Sequence, residues 1–209
     1  MKPVVLETPR LWLDSPVAAD QDRVFEYCQD PLFERYLTVP WPYTRANARY
    51  FTDRFVPDSW SNDSEYTWAI RLRGEKQEVD GASDTRDAGG AGGTGGALIG
   101  VIGFGTEHNS VGFWLGASHR GHGYVPEAAT AVAQWVFSRS VESIVWECVI
   151  GNLPSASVAR QLGFTFTGER DSAKPYRDGS PIMSWHAELT PANLGVPQHG
   201  WPAATSTFP

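Results

Sequence analysis

The residues best suited to chemistry cluster in one short stretch, Arg120-Gly121-His122-Gly123. An apolar run at 111–115 precedes it, and Ala128, Ala129, Val132, Trp135 and Val136 follow at helical spacing. The pattern predicts strand, glycine-rich turn, helix. Glycines let a backbone approach a ligand closely, and a helix start leaves free N–H groups at the positive end of its dipole. That combination suits an anion, most naturally a phosphate. The same pattern also serves as a tight turn with no ligand. It is not a P-loop, because no Gly-Lys-Ser/Thr follows. Nor is it the Gly-x-Gly-x-x-Gly dinucleotide fingerprint, because Pro126 stands where the third glycine would be.

The elements that must position this turn are legible on either side. Residues 4–13 read as a first strand. Ser15-Pro16 offers a cap and first-turn proline for a helix over 17–29, with Val24, Phe25 and Cys28 on one face. Pro31 is expected to end it. Residues 33–43, aromatic and proline-rich, read as a loop or a short helix and a loop. Thr44 caps a second helix carrying Ala48, Phe51 and Phe55, which Pro57 is expected to stop. Residues 66–72 alternate as a strand, and 97–104 form a strongly apolar one whose hairpin partner is 111–115.

Residues 143–150 give a further strand, with Ile144, Trp146 and Cys148 to one side. Asn152 and Pro154 open a helix, and Gly163 closes it as a left-handed cap. Residues 164–167 restart as a strand, Arg177-Asp178-Gly179 makes a turn, and Met183, Trp185, Ala187 and Leu189 share one side of a final strand.

Residues 74–96 are glycine-rich, polar and almost free of apolar side chains, so they cannot repay the entropy of ordering. They read as a flexible loop joining neighbouring strands, with a domain linker as the alternative. One domain over residues 1–190 is expected, with a disordered tail over 191–209.

The net charge of −7 gives no basic footprint for nucleic acid and favours cationic partners such as an amine or a basic peptide. Two isolated cysteines, Cys28 and Cys148, fit buried thiols in a reducing compartment. No metal-ligand spacing occurs, and no apolar run reaches membrane-spanning length. A cytoplasmic protein is the simplest expectation, and exposed aromatics could serve a homodimer.

Four stretches together resemble the GNAT superfamily of N-acetyltransferases, on the branch of the RimJ/RimL-type ribosomal-protein Nα-acetyltransferases. They are Thr8-Pro9-Arg10-Leu11 within the first strand, GFWLGASHRGHGYVPEAA at 112–129, NLPSASVARQLGF at 152–164, and Arg177-Asp178-Gly179. The resemblance implies an α/β (α+β) fold: a mixed, mainly antiparallel sheet flanked by helices. Two central parallel strands, 111–115 and 144–150, would splay apart around acetyl-CoA. It implies a pyrophosphate loop at 118–123, with His119, Arg120, Gly121, His122 and Gly123, followed by Tyr124. The family commonly has Gln or Arg where this chain has Ser118.

Backbone N–H groups of Phe113, Trp114 and Leu115 would face the thioester. Asn152 would contact the pantetheine arm and Ser155 the leaving sulfur, or both would simply cap their helix. Glu127 matches the motif Gly-Tyr-x-x-Glu-Ala, or is a carboxylate favoured by the helix dipole. Glu107, with His108, is the candidate base, or an exposed turn residue. The chain has Ser110 and Met183 where relatives place carboxylates. Tyr36, Trp41 and Tyr43 would wall the acceptor side, or pack in the core. The implied activity is acetyl transfer from acetyl-CoA, as co-substrate and without a metal, to a primary amine in a ternary complex. A CoA-binding module without catalysis and a longer-chain acyltransferase are the alternatives.

Overall fold

A computed structural model describes residues 1–74 and 95–202. Among these residues eight strands form one sheet: β1 (Leu6–Glu7), β2 (Leu11–Asp14), β3 (Glu65–Arg73), β4 (Gly95–Gly105), β5 (Ser110–Leu115), β6 (Ile144–Val149), β7 (Thr165–Asp171) and β8 (Met183–Leu189). Their order is β1-β2-β3-β4-β5-β6-β8-β7, antiparallel at every step except β5 to β6. Among the described residues six α-helices flank it: α1 (Gln21–Tyr27), α2 (Pro31–Tyr36), α3 (Arg45–Tyr50), α4 (Val56–Ser61), α5 (Tyr124–Phe137) and α6 (Leu153–Leu162). This is the mixed, mainly antiparallel architecture expected.

The helices divide between the two faces. On one, α5 and α6 lay Ala128, Val132, Val136, Ala156 and Ala159 against Ile144, Trp146 and Cys148. On this side Trp60, Trp68 and Trp135 meet edge to face at 5.1–6.3 Å. On the other, Val24, Cys28, Phe33 and Ala48 from α1–α3 cover Ala69, Leu98 and Val101, with Trp114 against them. Alternation along each strand makes this possible, because both faces of the central strands are apolar.

The structure departs from the expected elements in several places. The first strand is two. Thr8 N–H donates to Leu11 O at 3.0 Å and Leu11 N–H to Thr8 Oγ1 at 2.9 Å, which turns the chain at Pro9. Ser15-Pro16 does not start α1; a 3₁₀ turn, Ala18–Asp20, intervenes. Pro31 opens α2, capped by Asp30, whose Oδ1 accepts from Leu32 N–H at 2.9 Å. Pro57 does not stop its helix. The chain widens into a π turn, Phe51–Phe55, just before the proline, and continues through α4. Met183 is 52% exposed, because β8 leaves the core at its first residue.

Residues 191–202, expected as disordered tail, instead fold back along the sheet. Gly195 N–H donates to Leu162 O at 2.8 Å. Trp201 donates to Phe164 O at 3.1 Å and packs on Trp146 and Phe166. Scattered contacts, not an apolar stripe, hold this segment, so no periodicity announced it. Residues 203–209, and most of the loop expected at 74–96, lie outside the described residues. Gly95 and Gly96, expected in that loop, belong instead to β4, which pairs antiparallel with β3 (Arg73↔Gly95).

Candidate functional site

The parallel pair β5–β6 is joined at one register position, Ser110↔Val145, where Val145 N–H donates to Asn109 O at 2.8 Å. Beyond it the strands diverge. Backbone polar groups alternate sides along a strand. Gly116 N–H points to β4, donating to Ile99 O at 2.9 Å, and Asn109 O points to β6. The amides of Phe113 and Leu115 therefore face the opening. The Phe113 and Leu115 side chains lie on the α5 side, and Trp114 lies on the other, 5.6 Å from Phe33 and 6.4 Å from Tyr27.

At the open end the chain turns through Ala117–His119 into the glycine loop. Gly121 and Gly123 hold φ of +79° and +74°, the left-handed region that side chains avoid. Gly123 is the N-cap of α5 and brings no side chain to its first turn. The Tyr124 and Val125 amides are left without an intrahelical acceptor, as the first turn of any helix is. A Cβ on Gly121 would meet nothing within 4 Å, so this side of the loop is open. These features fit a pyrophosphate bound by backbone amides and the helix dipole.

The other side of the loop is clamped by a residue that had no role in the sequence reading. Arg10 donates to His122 O at 3.0 Å and Gly123 O at 3.4 Å. Its Nε donates to Glu127 Oε2 at 2.6 Å, its backbone N–H to Glu127 Oε1 at 3.0 Å, and Thr8 Oγ1 adds a bond to the same oxygen at 2.5 Å. Burial raises the pKa of Glu127, but the bonds from Thr8 and Arg10 outweigh it and hold the carboxyl below its ordinary range. The Thr-Pro-Arg stretch and the helix glutamate are thus one device. They fix the loop carbonyls outward and leave its amides for a ligand.

Arg120 and the histidines are tied into the protein as well. Arg120 donates to Leu115 O at 3.0 and 3.2 Å and pairs with Asp30 at 2.7 Å. His119 Nε2 lies 3.1 Å from the Tyr27 hydroxyl. His122 is exposed, stacks on Tyr124 at 5.4 Å, and places Nδ1 3.3 Å from His119 O.

Across the opening, Asn152 caps α6, its Oδ1 accepting from Ser155 N–H at 3.3 Å. Ser155 Oγ accepts from Trp146 Nε1 at 3.2 Å. Burial pushes the neighbouring Cys148 thiol up, with the Ser155 hydroxyl acting against it. Ser155 thus sits beside β6 on the α6 side. Glu107 is elsewhere. It is exposed in the turn before β5, 3.9 Å from His108, at the joined end of the strands. About 17 Å of strand separates Ser110 from Leu115 at the open end, and Glu107 is not brought together with the loop residues.

On the face opposite α6, the 172–182 hairpin covers the C-terminal end of α2. Arg177 donates to the carbonyls of Phe33, Glu34, Leu37 and Val39 at 2.7–3.0 Å, and Tyr176 donates to Glu34 O. Tyr36 reaches Gly151 O at 3.2 Å, beside the end of β6. Tyr43 is buried and Trp41 packs against the α1–α3 core. Only Tyr36, of the three aromatics expected to wall the acceptor side, contacts the rim. No group of His, Cys, Asp and Glu set to hold a metal occurs among the described residues.

A sheet opened between two parallel strands, with a glycine loop and helix start at its mouth, defines an acyl-CoA-dependent transferase fold. Residues 10–165 match the acetyltransferase (GNAT) domain, and the chain belongs to that family of acetyltransferases. No curated protein matches it in sequence. The fold is similar to that of microcin C7 self-immunity acetyltransferase MccE in complex with acetyl-CoA and AMP (18% identity, TM-score 0.68, 88% of this chain and 93% of that one). It is also similar to RimL, the ribosomal L7/L12 α-N-protein acetyltransferase, in complex with coenzyme A (16%, 0.68, 90% and 98%). A GNAT-family acetyltransferase from Bacillus anthracis is a third (19%, 0.68, 90% and 98%).

Proposed function

We propose that the protein transfers the acetyl group of acetyl-CoA directly to a primary amine bound on the α1–α2 side of the sheet. The observation that carries this reading is the β5–β6 opening with the Arg10-clamped loop at its mouth. Acetyl-CoA supplies an activated acetyl thioester. The first-turn amides of α5 and the Gly121–Gly123 loop hold the pyrophosphate. The Phe113 and Leu115 amides receive the negative charge that develops on the thioester oxygen. Ser155, on the α6 side, hydrogen-bonds the departing sulfur.

The acceptor is a protein N-terminus or a small amine. The RimL resemblance favours the N-terminus, and the net charge of −7 suits a cationic acceptor of either kind. Two unpaired buried cysteines suit a reducing cytoplasm.

The test is calorimetric titration of acetyl-CoA into the wild type and a Gly121→Asp variant. The substitution strains a backbone at φ +79° and sets a carboxylate in the cradle. Binding by the wild type, lost in a folded variant, is the expected result. A folded wild type that binds neither acetyl-CoA nor CoA overturns the reading.

A further inference from the structure

Helix α2 crosses the open ends of the two diverging strands, and each of its ends is tied to one of them. At its start, Asp30 caps the helix with Oδ1, which accepts from Leu32 N–H at 2.9 Å, and turns Oδ2 to Arg120 at 2.7 Å. Arg120 in turn donates from Nε and Nη2 to Leu115 O at 3.2 and 3.0 Å. Gly116 N–H points to β4, so alternation turns the Leu115 carbonyl, like its amide, to the opening. The link from Asp30 through Arg120 therefore ends on the last residue of β5. At the finish of α2, Tyr36 donates to Gly151 O at 3.2 Å, just past Val149, the last residue of β6.

The corner between α1 and α2 is seated on the same stretch. The Tyr27 ring packs so closely on Gly116 that a Cβ there would stand 2.6 Å from it. The Tyr27 hydroxyl lies 3.1 Å from His119 Nε2 and accepts from Arg23 at 3.1 Å. Trp114, on the α1–α2 face of β5, is flanked by Tyr27 and Phe33 at 6.4 and 5.6 Å. The Arg177 fork fixes the carbonyls at the other end of α2. Arg120 is thus committed to protein groups, although it belongs to the cofactor loop. A phosphate taking its guanidinium would have to displace the Asp30 carboxylate and release the Leu115 carbonyl.

We propose that α2 is a strut across the opening that places the amine acceptor over the thioester, and that Arg120 is a positioning residue for this strut, acting through Asp30, and not a pyrophosphate ligand. This rests on the transferase reading above. Gly121, Gly123 and the first-turn amides of α5 are left to hold the diphosphate. The Asp30–Arg120 pair joins the cofactor loop to the acceptor wall and sets one substrate's place relative to the other on the β5 side. Tyr36 does the same on the β6 side. Releasing either end lets α2 tilt, which spoils the seat of the amine and leaves the phosphate cradle intact.

Separate readouts for the two substrates test this. Acetyl-CoA affinity is measured by calorimetry. The amine is followed by thiol release at saturating acetyl-CoA, with peptides bearing each common N-terminal residue and with spermidine. Asp30→Asn keeps a capping oxygen and removes the charge facing Arg120. This variant and Arg120→Gln are each expected to raise KM for the best of these amines about tenfold, the scale of one charge-assisted hydrogen bond, with a smaller change in kcat. The double variant should match the singles, since all three lose one pair. Tyr36→Phe should raise the same KM, and hydrogen exchange over α2 should quicken in every case. Acetyl-CoA affinity should stay within a few-fold of the wild type throughout, while Gly121→Asp abolishes it. If Arg120→Gln weakens acetyl-CoA binding about tenfold or more and Asp30→Asn does not, Arg120 is a phosphate ligand and the proposal is overturned. An unchanged KM in both variants overturns it as well. A wild type that binds acetyl-CoA but releases no thiol with any of these amines overturns the transferase reading, and the role of the strut falls with it.

Discussion

Arg10 carries more of the cofactor loop than its place in a short turn between β1 and β2 suggests. One guanidinium bonds two loop carbonyls and the Glu127 carboxylate. Its side chain is half exposed, so the ion pair itself adds little to stability. Its effect belongs to the loop. Arg10→Gln is expected to cost about 1 kcal/mol or less in urea unfolding, and to weaken acetyl-CoA binding about tenfold, equivalent to about 1.4 kcal/mol. Glu127 adds a pH signature. Its folded pKa is below the ordinary value, so its contribution is complete above the ordinary carboxylate range and is lost as pH falls through the lowered value. Unfolding curves of the wild type and Glu127→Gln should therefore converge on acidification. A gap that widens toward low pH would contradict the pairing.

At the scale of elements, α6 shows how local signals set a site. Asn152 starts it and Gly163 stops it. Asn152→Ala is expected to cost about 1 kcal/mol. Gly163→Ala is expected to cost more than about 2 kcal/mol, because φ is +95° and a Cβ would stand 1.9 Å from Asn193 O. Denaturant midpoints measure both. A small effect at Gly163 would mean that residues 191–202 do not pack against α6. The hairpin and α2 form a second unit, since the Arg177 fork fits four carbonyls at the helix end. A lysine there presents one ammonium and cannot reproduce the fork.

For the whole molecule, the two cores bury both cysteines. Burial pushes the Cys28 thiol up to about 12 and raises Cys148 as well. A thiol reagent at neutral pH should modify neither in the native state and both on unfolding. Rapid reaction of one would show that its core opens on its own. Cys148 is the more informative, since it lies beside Ser155 and acetyl-CoA should slow its exposure further.

The strand–turn–helix around Gly121 and Gly123, the caps of α6, the buried strands and the family resemblance are all legible in the residue order. These depend on backbone conformation and local periodicity, which neighbouring residues dictate. What closes the site comes from contacts between distant segments. Arg10 meets Glu127 across 117 positions of sequence, and Arg177 meets α2 across about 140. Such contacts follow from sheet order and leave no spacing to read. The same reason sets Glu107 at the joined end of the strands. In sequence it is a lone carboxylate beside an apolar run. The divergence of β5 from β6 keeps it from the loop, and strand pairing, not either segment alone, fixes where that divergence begins.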